Sequence, residues 1–397
     1  RDSWGSLPAR VLRPQLAVFL LLTPALVFFT GQFSPWAPLV NVIAIPLVGM
    51  LIVPLCLVGT ALLFLLPATG QWLLGVAEAL LDACFAMLAW VAAQGGVVTV
   101  PGHVGLWAAL SAAVAALLWL LPMPARQRLL TIPLCLPLLF PRLEPAPEHG
   151  EFHSHILDVG QGLAVVVQTA NHVLLYDSGA RYHQEFDLGE AVVVPVLKRL
   201  GRPVLDGVVI SHWDNDHSGG LESVLAAFAV ARRYGPDRIG PLWQQCSPQS
   251  WRWDGVLFAF MRSPAQATAG NNSSCVLRIS GAHYSLLLPG DIERAVERDL
   301  VLQYGEGLHS EVLVVPHHGS ATSSSWPFIK TVNPQLVIYS AGFGNAFGHP
   351  AELVQDRYAV LGTVPVNTGA SGMVSIESGE GGLKISSYRD RHPRYWR

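Results

Sequence analysis

Four side chains that could bind a metal ion fall within six residues. His212, Asp214, Asp216 and His217 form the pattern H-x-D-x-D-H, directly after the apolar run at residues 208–210. Ionisable groups held this close together and away from water are costly unless a counter-charge gathers them. The pattern therefore predicts a metal centre at the end of a strand, against the alternative of a solvated loop that happens to be rich in His and Asp.

Two later segments repeat this arrangement. The apolar run at residues 286–288 leads through Pro-Gly to Asp291, and the run at residues 312–315 leads through Pro316 to His317 and His318. Short apolar runs that stop at turn residues are typical of buried strands. Each segment is thus predicted to be a strand that ends in a possible ligand.

Together these motifs resemble the metallo-β-lactamase fold. The series runs from Tyr-Asp177-Ser-Gly through the H-x-D-x-D-H loop and Pro-Gly-Asp291 to Pro-His-His318-Gly-Ser. The motifs Leu-Asp158-Val-Gly-Gln-Gly and Gly-His349-Pro, with the apolar N-terminal segment, are similar to the ComEC-type branch, the DNA-uptake channel proteins of bacterial competence. The resemblance covers essentially the whole chain. It implies the C-terminal part of a longer protein, as does the lack of an initiator Met.

The resemblance implies a site for two metal ions and assigns its ligands. These are His212, Asp214 and Asp291 for one ion, and Asp216, His217, Asp291 and His318 for the other. Asp291 would bridge the ions, and His318 is favoured over its neighbour His317 as the ligand. Asp177 is expected to brace the ligand loop by hydrogen bonds, and a turn-forming role in Asp-Ser-Gly is equally compatible with it.

Two departures from the family's pattern bear on the choice of metal. Asp214 stands where the broader family usually carries His, and the usual extra His before the bridging Asp is missing, because His283 lies at the wrong end of its strand. Carboxylate oxygen is a harder ligand than imidazole nitrogen. We therefore expect two divalent ions, with Mn²⁺ favoured and Zn²⁺ or Mg²⁺ possible, and weaker binding at the first site.

Paired ions of this kind suit phosphodiester hydrolysis, because they can activate water and stabilise charge on a phosphate. The candidate catalytic residues are Asp216, His349 and Asp158. The candidate substrate-binding residues, each of which is also an ordinary loop residue, are Gln161, Asn271, Asn272, Ser273, Ser274, His317 and Ser320.

The resemblance implies a channel that takes up one DNA strand, with a nuclease domain that degrades the other. Expected partners are double-stranded DNA as substrate, single-stranded DNA as the transported product, the lipid bilayer, the upstream part of the same protein and other competence machinery. Two alternatives stay open: a hydrolase of other phosphoesters, and a channel whose metallo-β-lactamase-like domain binds DNA without cleaving it. Charge does not distinguish these functions. The net charge is −3, and the basic tail at residues 389–397 is compatible with phosphate binding and with a disordered terminus.

The first 143 residues have the composition of a membrane segment. Between residues 14 and 125 the only charged residues are Glu78 and Asp82, a pattern that a water-exposed surface would not tolerate. Pro46 and Pro54 predict a broken or re-entrant second span. Candidate spans are residues 16–33, 39–66, 72–93 and 104–121, and a short run at 129–140.

Arginines set the predicted orientation. Arg10 and Arg13 precede the first span, and Arg126 and Arg128 follow the fourth, so these flanks are expected on the cytoplasmic side. If the short fifth run also crosses, everything after it lies outside the cytoplasm. We therefore expect a multi-pass protein of the inner membrane with an extracytoplasmic globular domain.

The rest of the chain is predicted to be a linker at residues 144–150 and a globular domain at residues 151–397. Strand patterns near residues 152–157, 163–168, 172–177, 207–211, 274–280, 284–289, 311–315, 335–340, 373–377 and 383–388 accompany helical patterns near 188–200, 292–303 and 351–361. The fold class implied is an all-α transmembrane segment followed by an αββα sandwich. In an oxidising compartment Cys246 and Cys275 would form a disulfide, with two buried thiols as the alternative.

Overall fold

A computed structural model describes residues 7–102, 104–141, 145–182, 186–201, 204–237, 240–263, 270–379 and 382–391. The chain forms two compact units, Arg1–Glu144 with Arg199–Gly201, and Pro145–Lys198 with Arg202–Arg397. We call them the helical unit and the sandwich unit. An apolar helical segment followed by a domain of two sheets is the predicted fold class, which is confirmed.

The helical unit consists of apolar helices joined by short turns. In chain order its elements are α1 Leu7–Thr30, β1 Gln32–Phe33, α2 Ala37–Pro46, a π-helical turn Leu47–Ile52, α3 Val53–Leu63, α4 Pro67–Ala93, β2 Val98–Thr99, α5 Leu106–Leu120, α6 Ala125–Leu129, a 3₁₀ turn Ile132–Cys135 and α7 Leu136–Leu139. Among the described residues, three helical stretches are long and apolar enough to cross a membrane: Leu12–Thr30, Ala37–Leu63 and Pro67–Ala93.

The second span is not broken as predicted. Pro46 has no amide hydrogen, and the π-helical turn begins directly after it. The wide turn keeps backbone hydrogen bonds running, with the amide of Val53 donating to the carbonyl of Val48. Pro54 then falls in the first turn of α3, where a missing amide hydrogen costs little. One helix of 27 residues results.

The predicted fifth span is also absent from the described residues. The run at 129–140 is divided between α6, the 3₁₀ turn and α7, of five, four and four residues. Pro133 and Pro137 each begin a new turn, because a prolyl ring cannot continue the preceding one. At 15 residues, α5 is about 22 Å long against a hydrocarbon core of about 30 Å. The helices therefore do not support the crossing count on which the predicted orientation depended.

The sandwich unit contains most of the strands. In chain order its elements are β3 His153–Ile156, β4 Val165–Gln168, β5 Val173–Tyr176, β6 Arg181–Tyr182, β7 Phe186–Asp187, α8 Val194–Arg199, β8 Val204–Leu205, β9 Gly207–Val209, α9 Asn215–Ser218, α10 Leu221–Ala227, β10 Ala229–Val230, β11 Arg233–Gly235, β12 Trp243–Gln245, β13 Ser250–Trp253, β14 Val256–Met261, β15 Val276–Ser280, β16 Ser285–Leu288, α11 Arg294–Tyr304, β17 Val312–Val314, α12 Trp326–Val332, β18 Leu336–Tyr339, α13 Glu352–Val360, β19 Val364–Asn367, α14 Thr368–Ser371, β20 Val374–Gly379, β21 Gly382–Ser387 and α15 Tyr388–Arg391.

Two large sheets form the sandwich. One has the order β12-β11-β9-β5-β4-β3-β20-β21, and the other has the order β13-β14-β15-β16-β17-β18-β19. Leu286 packs between the sheets with Tyr176 and Phe258, whereas the next residue, Leu287, packs on the outer face with Phe328 of α12. This alternation is the reason that residues 286–288 of β16 are all leucine, since both faces of the strand are covered.

Parallel strands bring the predicted ligands to one edge. β5 pairs in parallel with β9 in the first sheet, and β16 pairs in parallel with β17 in the second. Asp177 and His212 follow the ends of the first pair, and Asp291 and His318 follow the ends of the second. Since the carboxyl ends of parallel strands lie together, these four side chains meet where the two sheets face each other.

Covalent and ionic links join the two sheets elsewhere. Cys246 and Cys275 form the predicted disulfide, which ties the end of β12 to the start of β15. Asp254, in the turn between β13 and β14, accepts hydrogen bonds from Thr169 Oγ1 at 2.7 Å, from Asn171 N at 2.7 Å and from His172 Nδ1 at 2.9 Å. Burial alone would raise the pKa of Asp254, but these hydrogen bonds outweigh it and hold the pKa well below its usual range.

The Asp254→Asn change should weaken the sandwich unit by about 1–3 kcal/mol at pH 7, because it removes a charged acceptor from four donors. A depressed folded-state pKa stabilises the fold above the unfolded value of about 3.9 and stops doing so as the pH falls further. The difference between wild type and variant should therefore be constant above about pH 4 and shrink progressively as the pH falls below it. Thermal unfolding followed by near-UV circular dichroism measures this difference. Asp356→Asn, at an exposed position of α13, is the control, and an equal loss in both variants would contradict the prediction.

Candidate metal centre

Four possible ligand atoms converge at the edge where the strands end. One atom each from Asp216, His217, Asp291 and His318 lies within 4.8 Å of all the others. His217 Nε2 is 3.2 Å from His318 Nε2 and 3.2 Å from Asp291 Oδ1, and His318 Nε2 is 3.2 Å from Asp216 Oδ2. Ligand atoms bound tetrahedrally to one ion at about 2.0–2.1 Å are roughly 3.3 Å apart. The spacing in this cluster thus fits a shared ion.

Asp177 fixes the orientation of His217. Its buried carboxylate accepts hydrogen bonds from Ser211 N at 2.6 Å and Ser211 Oγ at 2.8 Å, and from His217 Nδ1 at 2.8 Å. A carboxylate cannot donate, so Nδ1 of His217 carries the proton and Nε2 presents a lone pair. Asp177 therefore occupies the bracing position predicted for it, in a left-handed turn with φ 60°.

His318 is held in the same way by the backbone. Its Nδ1 donates to the carbonyl of Ser340 at 2.8 Å, which again leaves Nε2 with a lone pair. His317 and His318 both have left-handed backbones, with φ of 51° and 55°. Two successive non-glycine residues in this region are strained, and such strain is found at functional sites. The strained turn aims His318 inward and His317 toward the rim.

His212 supplies a third imidazole. Ser211 Oγ and Ser274 Oγ, which lie 3.1 Å and 3.3 Å from its Nδ1, donate their protons to Asp177 and to the carbonyl of Asn271. Nδ1 of His212 must therefore be the donor. Its Nε2 is buried with no hydrogen-bond partner in the described part of the chain, and it lies 3.4 Å from Asp214 Oδ2.

Charge in the cluster favours a cation. Burial alone would lower the pKa of His217 and His318, but the buried carboxylate of Asp291 outweighs it, so the pKa of His217 rises well above its usual value and that of His318 rises to about 9. Burial alone would raise the pKa of Asp291, but the two imidazoles lower it well below its usual value. Without a metal ion, protons on the histidines balance the carboxylates. Divalent cations would take over that role and release the protons.

The residues therefore fit a metal-binding centre. The imidazoles of His217 and His318 and the carboxylates of Asp216 and Asp291 face one another, and the ring of His212 lies beside that of His217, with centroids 4.2 Å apart. The predicted ligands differ in how closely they are gathered. Asp216, His217, Asp291 and His318 are compact, whereas Asp214, beside His212, is 54% exposed.

Several predicted substrate-binding residues lie around this cluster. Asn271 Nδ2 donates to His317 Nε2 at 3.3 Å, and that nitrogen is 3.9 Å from Asp291 Oδ2. Ser274 Oγ accepts from Asp291 N at 3.0 Å and so supports a ligand instead of facing a substrate. His349 has its ring centroid 6.0 Å from that of His317, and its Nδ1 is buried without a partner among the described residues. Asn271, His317 and His349 thus stand at the rim of the centre.

Other predicted residues are engaged elsewhere. Asp158, a candidate catalytic residue, forms an ion pair with Arg389 Nη2 at 2.8 Å. Asn272 bonds Glu293, Ser273 bonds the carbonyl of Gly270, and Ser320 bonds Thr322. Gln161 is in the loop at residues 160–162, which packs so closely on the ligand loop that a side chain on Gly162 would collide with the carbonyl of Asp216.

Two supporting groups were missed by sequence reasoning. Ser211 links Asp177 to the histidines, and its position directly before His212 was a usable signal. Ser340 acts through its backbone carbonyl on His318 and through its hydroxyl on the carbonyl of Gly162 at 2.6 Å. A contact made by a backbone carbonyl does not depend on the residue type, so the sequence could not predict it.

Comparison with known proteins gives two family matches. Residues 1–126 match the family described as Competence protein, and residues 157–335 match the Metallo-beta-lactamase superfamily. The chain is 35% identical over 387 residues to Competence protein ComA of Neisseria gonorrhoeae, covering 97% of this chain and 54% of that protein. It is 31% identical to Uncharacterized protein YcaI of Escherichia coli strain K12, over 96% of this chain and 50% of that protein. It is 26% identical to ComE operon protein 3 of Bacillus subtilis strain 168, over 83% of this chain and 47% of that protein. The chain thus spans about half the length of these relatives.

Metal content should follow the asymmetry of the centre. We expect one tightly held ion per chain and a second that is lost more readily, because Asp214 is exposed and completes a set of fewer ligands. Asp214→Ala should remove only the weaker ion, and Asp291→Ala should weaken both. Elemental analysis of the purified chain after dialysis measures the stoichiometry, with Asp356→Ala as the control. Two tightly bound ions in Asp291→Ala would show that the ligand assignment is wrong.

Proposed function

Since the chain belongs to the ComEC-type family of competence proteins, we propose that it takes part in the passage of one DNA strand across the inner membrane while its sandwich unit hydrolyses phosphodiester bonds of the other strand. The observation that carries the hydrolytic part is the convergence of two imidazoles, His217 and His318, on the carboxylates of Asp216 and Asp291. A domain that only binds DNA has no need for such a cluster, since phosphates are bound well by exposed Arg and Lys.

The proposed ligands are those of the predicted two-ion site. His212, Asp214 and Asp291 would hold one ion, Asp216, His217, Asp291 and His318 the other, and Mn²⁺ is the metal we favour. Divalent ions in such a site make water more acidic and stabilise the charge that builds on a phosphate. Asp177 and the carbonyl of Ser340 keep the two inner imidazoles in the tautomer that such ligands need.

Residues at the rim would handle the substrate. Burial, and then the neighbouring His318 and His317, lower the pKa of His349, so its imidazole is neutral near pH 7 and could accept a proton from the reacting group. Asn271 and His317, which already bond each other, are placed to contact phosphate oxygens. Asp158 has no part in this scheme, because Arg389 pairs with it.

Hydrolysis of DNA by the full chain in detergent micelles tests this proposal. With Mn²⁺ present, end-labelled duplex should be cut. Asp291→Ala should reduce the rate by more than the roughly 10- to 100-fold typical of removing a supporting hydrogen bond. Asp356→Ala should cut like wild type. Intact DNA after incubation with wild-type protein that binds metal would favour the binding-only alternative, and cleavage of a phosphomonoester in preference to DNA would favour a different phosphoesterase.

We further propose that the sandwich unit lies outside the cytoplasm. The support is the Cys246–Cys275 disulfide, because such bonds persist in oxidising compartments and are rare in the cytosol. A phosphatase reporter that folds only outside the cytoplasm, fused after Arg397, should be active in cells. The same reporter fused before the first span, on the side of Arg10, should be inactive. Activity of the second fusion alone would reverse the proposed orientation.

A further inference from the structure

Aromatic side chains are exposed around the metal centre more than elsewhere on the sandwich unit. In the part of that unit that the structure describes, six are exposed: Tyr182, Phe186, Trp326, Phe343, Phe347 and Tyr388. Trp326 and Tyr388 are only 38% and 36% exposed, whereas Phe343 and Phe347 reach 88% and 69%. We call Tyr182, Phe186, Phe343 and Phe347 the aromatic rim. Exposed rings this large are costly on a surface without a partner.

One half of the aromatic rim stands beside a proposed metal ligand. Tyr182 and Phe186 lie on paired strands β6 and β7, with their ring centroids 6.3 Å apart. The hydroxyl of Tyr182 is 3.6 Å from the position of a Cβ on Gly160. Gly160 belongs to the loop at residues 160–162, which packs on the backbone of Asp216. A single loop therefore separates this pair of rings from the metal centre.

The other half reaches the centre through a series of rings. Phe347 stacks on His349, with centroids 5.9 Å apart and planes 25° apart, and His349 is 6.0 Å from His317. His317 Nε2 is 3.9 Å from Asp291 Oδ2. Gly342, next to Phe343, packs on the amide of Gln161, since a Cβ there would lie 2.9 Å from Gln161 N. Both halves of the aromatic rim thus flank the loop at residues 160–162.

We propose that the aromatic rim stacks the bases of an unpaired nucleic acid strand and so holds one of its phosphates at the metal centre. Every base has an apolar face that can stack on an aromatic ring, so stacking binds a strand without sequence preference. In a duplex these faces are covered by neighbouring base pairs, so the site should engage single strands or frayed ends. This inference rests on the proposed function, and it adds a preference for unpaired substrate and the residues that impose it.

Continuity with the metal centre favours nucleic acid over a lipid or protein partner. The rings are not gathered into one apolar patch. Tyr182 and Phe186 stand on strands β6 and β7, whereas Phe343 and Phe347 stand on the segment after β18. Polar groups such as Asn345 and His349 lie beside the second pair. Stacking against separate bases of a strand suits spaced rings, whereas a lipid or protein surface is better matched by a continuous apolar face.

Binding of two labelled oligonucleotides tests the inference. One is oligothymidylate of about 16 nucleotides, near the upper size of single-strand sites, and the other has the same phosphates and sugars but no bases. Fluorescence anisotropy is measured with the full chain in detergent and EDTA, so that no cleavage occurs. Wild type should bind the strand with bases at least about fivefold more tightly, the lower limit for stacking of one base, and more tightly than a duplex of equal length.

Substitutions then assign this preference to the rings. Phe343→Ala with Phe347→Ala should reduce the preference for bases by about fivefold or more. Phe343→Trp with Phe347→Trp should keep it, which also shows that these positions tolerate change. Leu302→Ala, at a position 79% exposed in α11, is the matched control and should keep the preference as well.

Two results would overturn the inference. One is equal binding of both oligonucleotides by wild type, which would favour a lipid or protein surface as the partner of the aromatic rim. The other is an undiminished preference in the double alanine variant. Because binding is measured without metal, the experiment is independent of hydrolysis. Failure of the wild-type protein to cut DNA would contradict the proposed function and leave the preference for bases measurable.

Discussion

The hydrogen bond between His217 Nδ1 and Asp177 constrains the rest of the metal centre. Both side chains are fully buried, so the carboxylate has no water to accept from and must be satisfied by the groups around it. It takes Ser211 N and Ser211 Oγ as well as His217. With the hydroxyl proton of Ser211 committed, the neighbouring His212 has to donate from Nδ1. One buried carboxylate thereby sets the tautomer of two imidazoles and leaves a lone pair on the Nε2 of each.

That arrangement is unfavourable without a positive charge. The Nε2 atoms of His217 and His318 are 3.2 Å apart, and two lone pairs at that distance repel unless a proton or a cation lies between them. Asp216 and Asp291 add negative charge on the same side. Each hydrogen-bond donor in this group has an acceptor, so no single residue is unusual. The close approach of two imidazole nitrogens and two carboxylates distinguishes the cluster, and it is the physical reason to expect metal binding there.

Sequence reasoning was most successful where pattern and geometry coincide. Apolar runs that end in Asp or His predicted β9, β16 and β17, because a strand covered on both faces must be apolar and the carboxyl ends of parallel strands bring their next residues together. The short strands β11, β12 and β19 and the helix α12 escaped prediction. Their residues alternate weakly, and their pairing with neighbouring strands decides their conformation.

Long-range polar pairings were also beyond prediction. Asp158 pairs with Arg389, a residue 231 positions away along the chain, and so its expected catalytic role found no support. Prolines in the helical unit had different effects at two places. After Pro46 a π-helical turn keeps the helix continuous, whereas Pro133 and Pro137 divide the predicted fifth span into short turns. A proline shows that a helix must adjust, but packing around it decides how.

The pairing of β3 with β20 has a consequence for biosynthesis. β3 opens the sandwich unit, yet its outer neighbour β20 begins only at Val374. Throughout synthesis of the residues between them, one side of β3 has no strand to bond to, and such an edge can pair with another chain. Closing a contact of this sequence separation is also slow. Ribosomal stalling between His318 and Val374 would leave a nascent chain that already carries all six proposed ligands but whose first sheet is still open to aggregation.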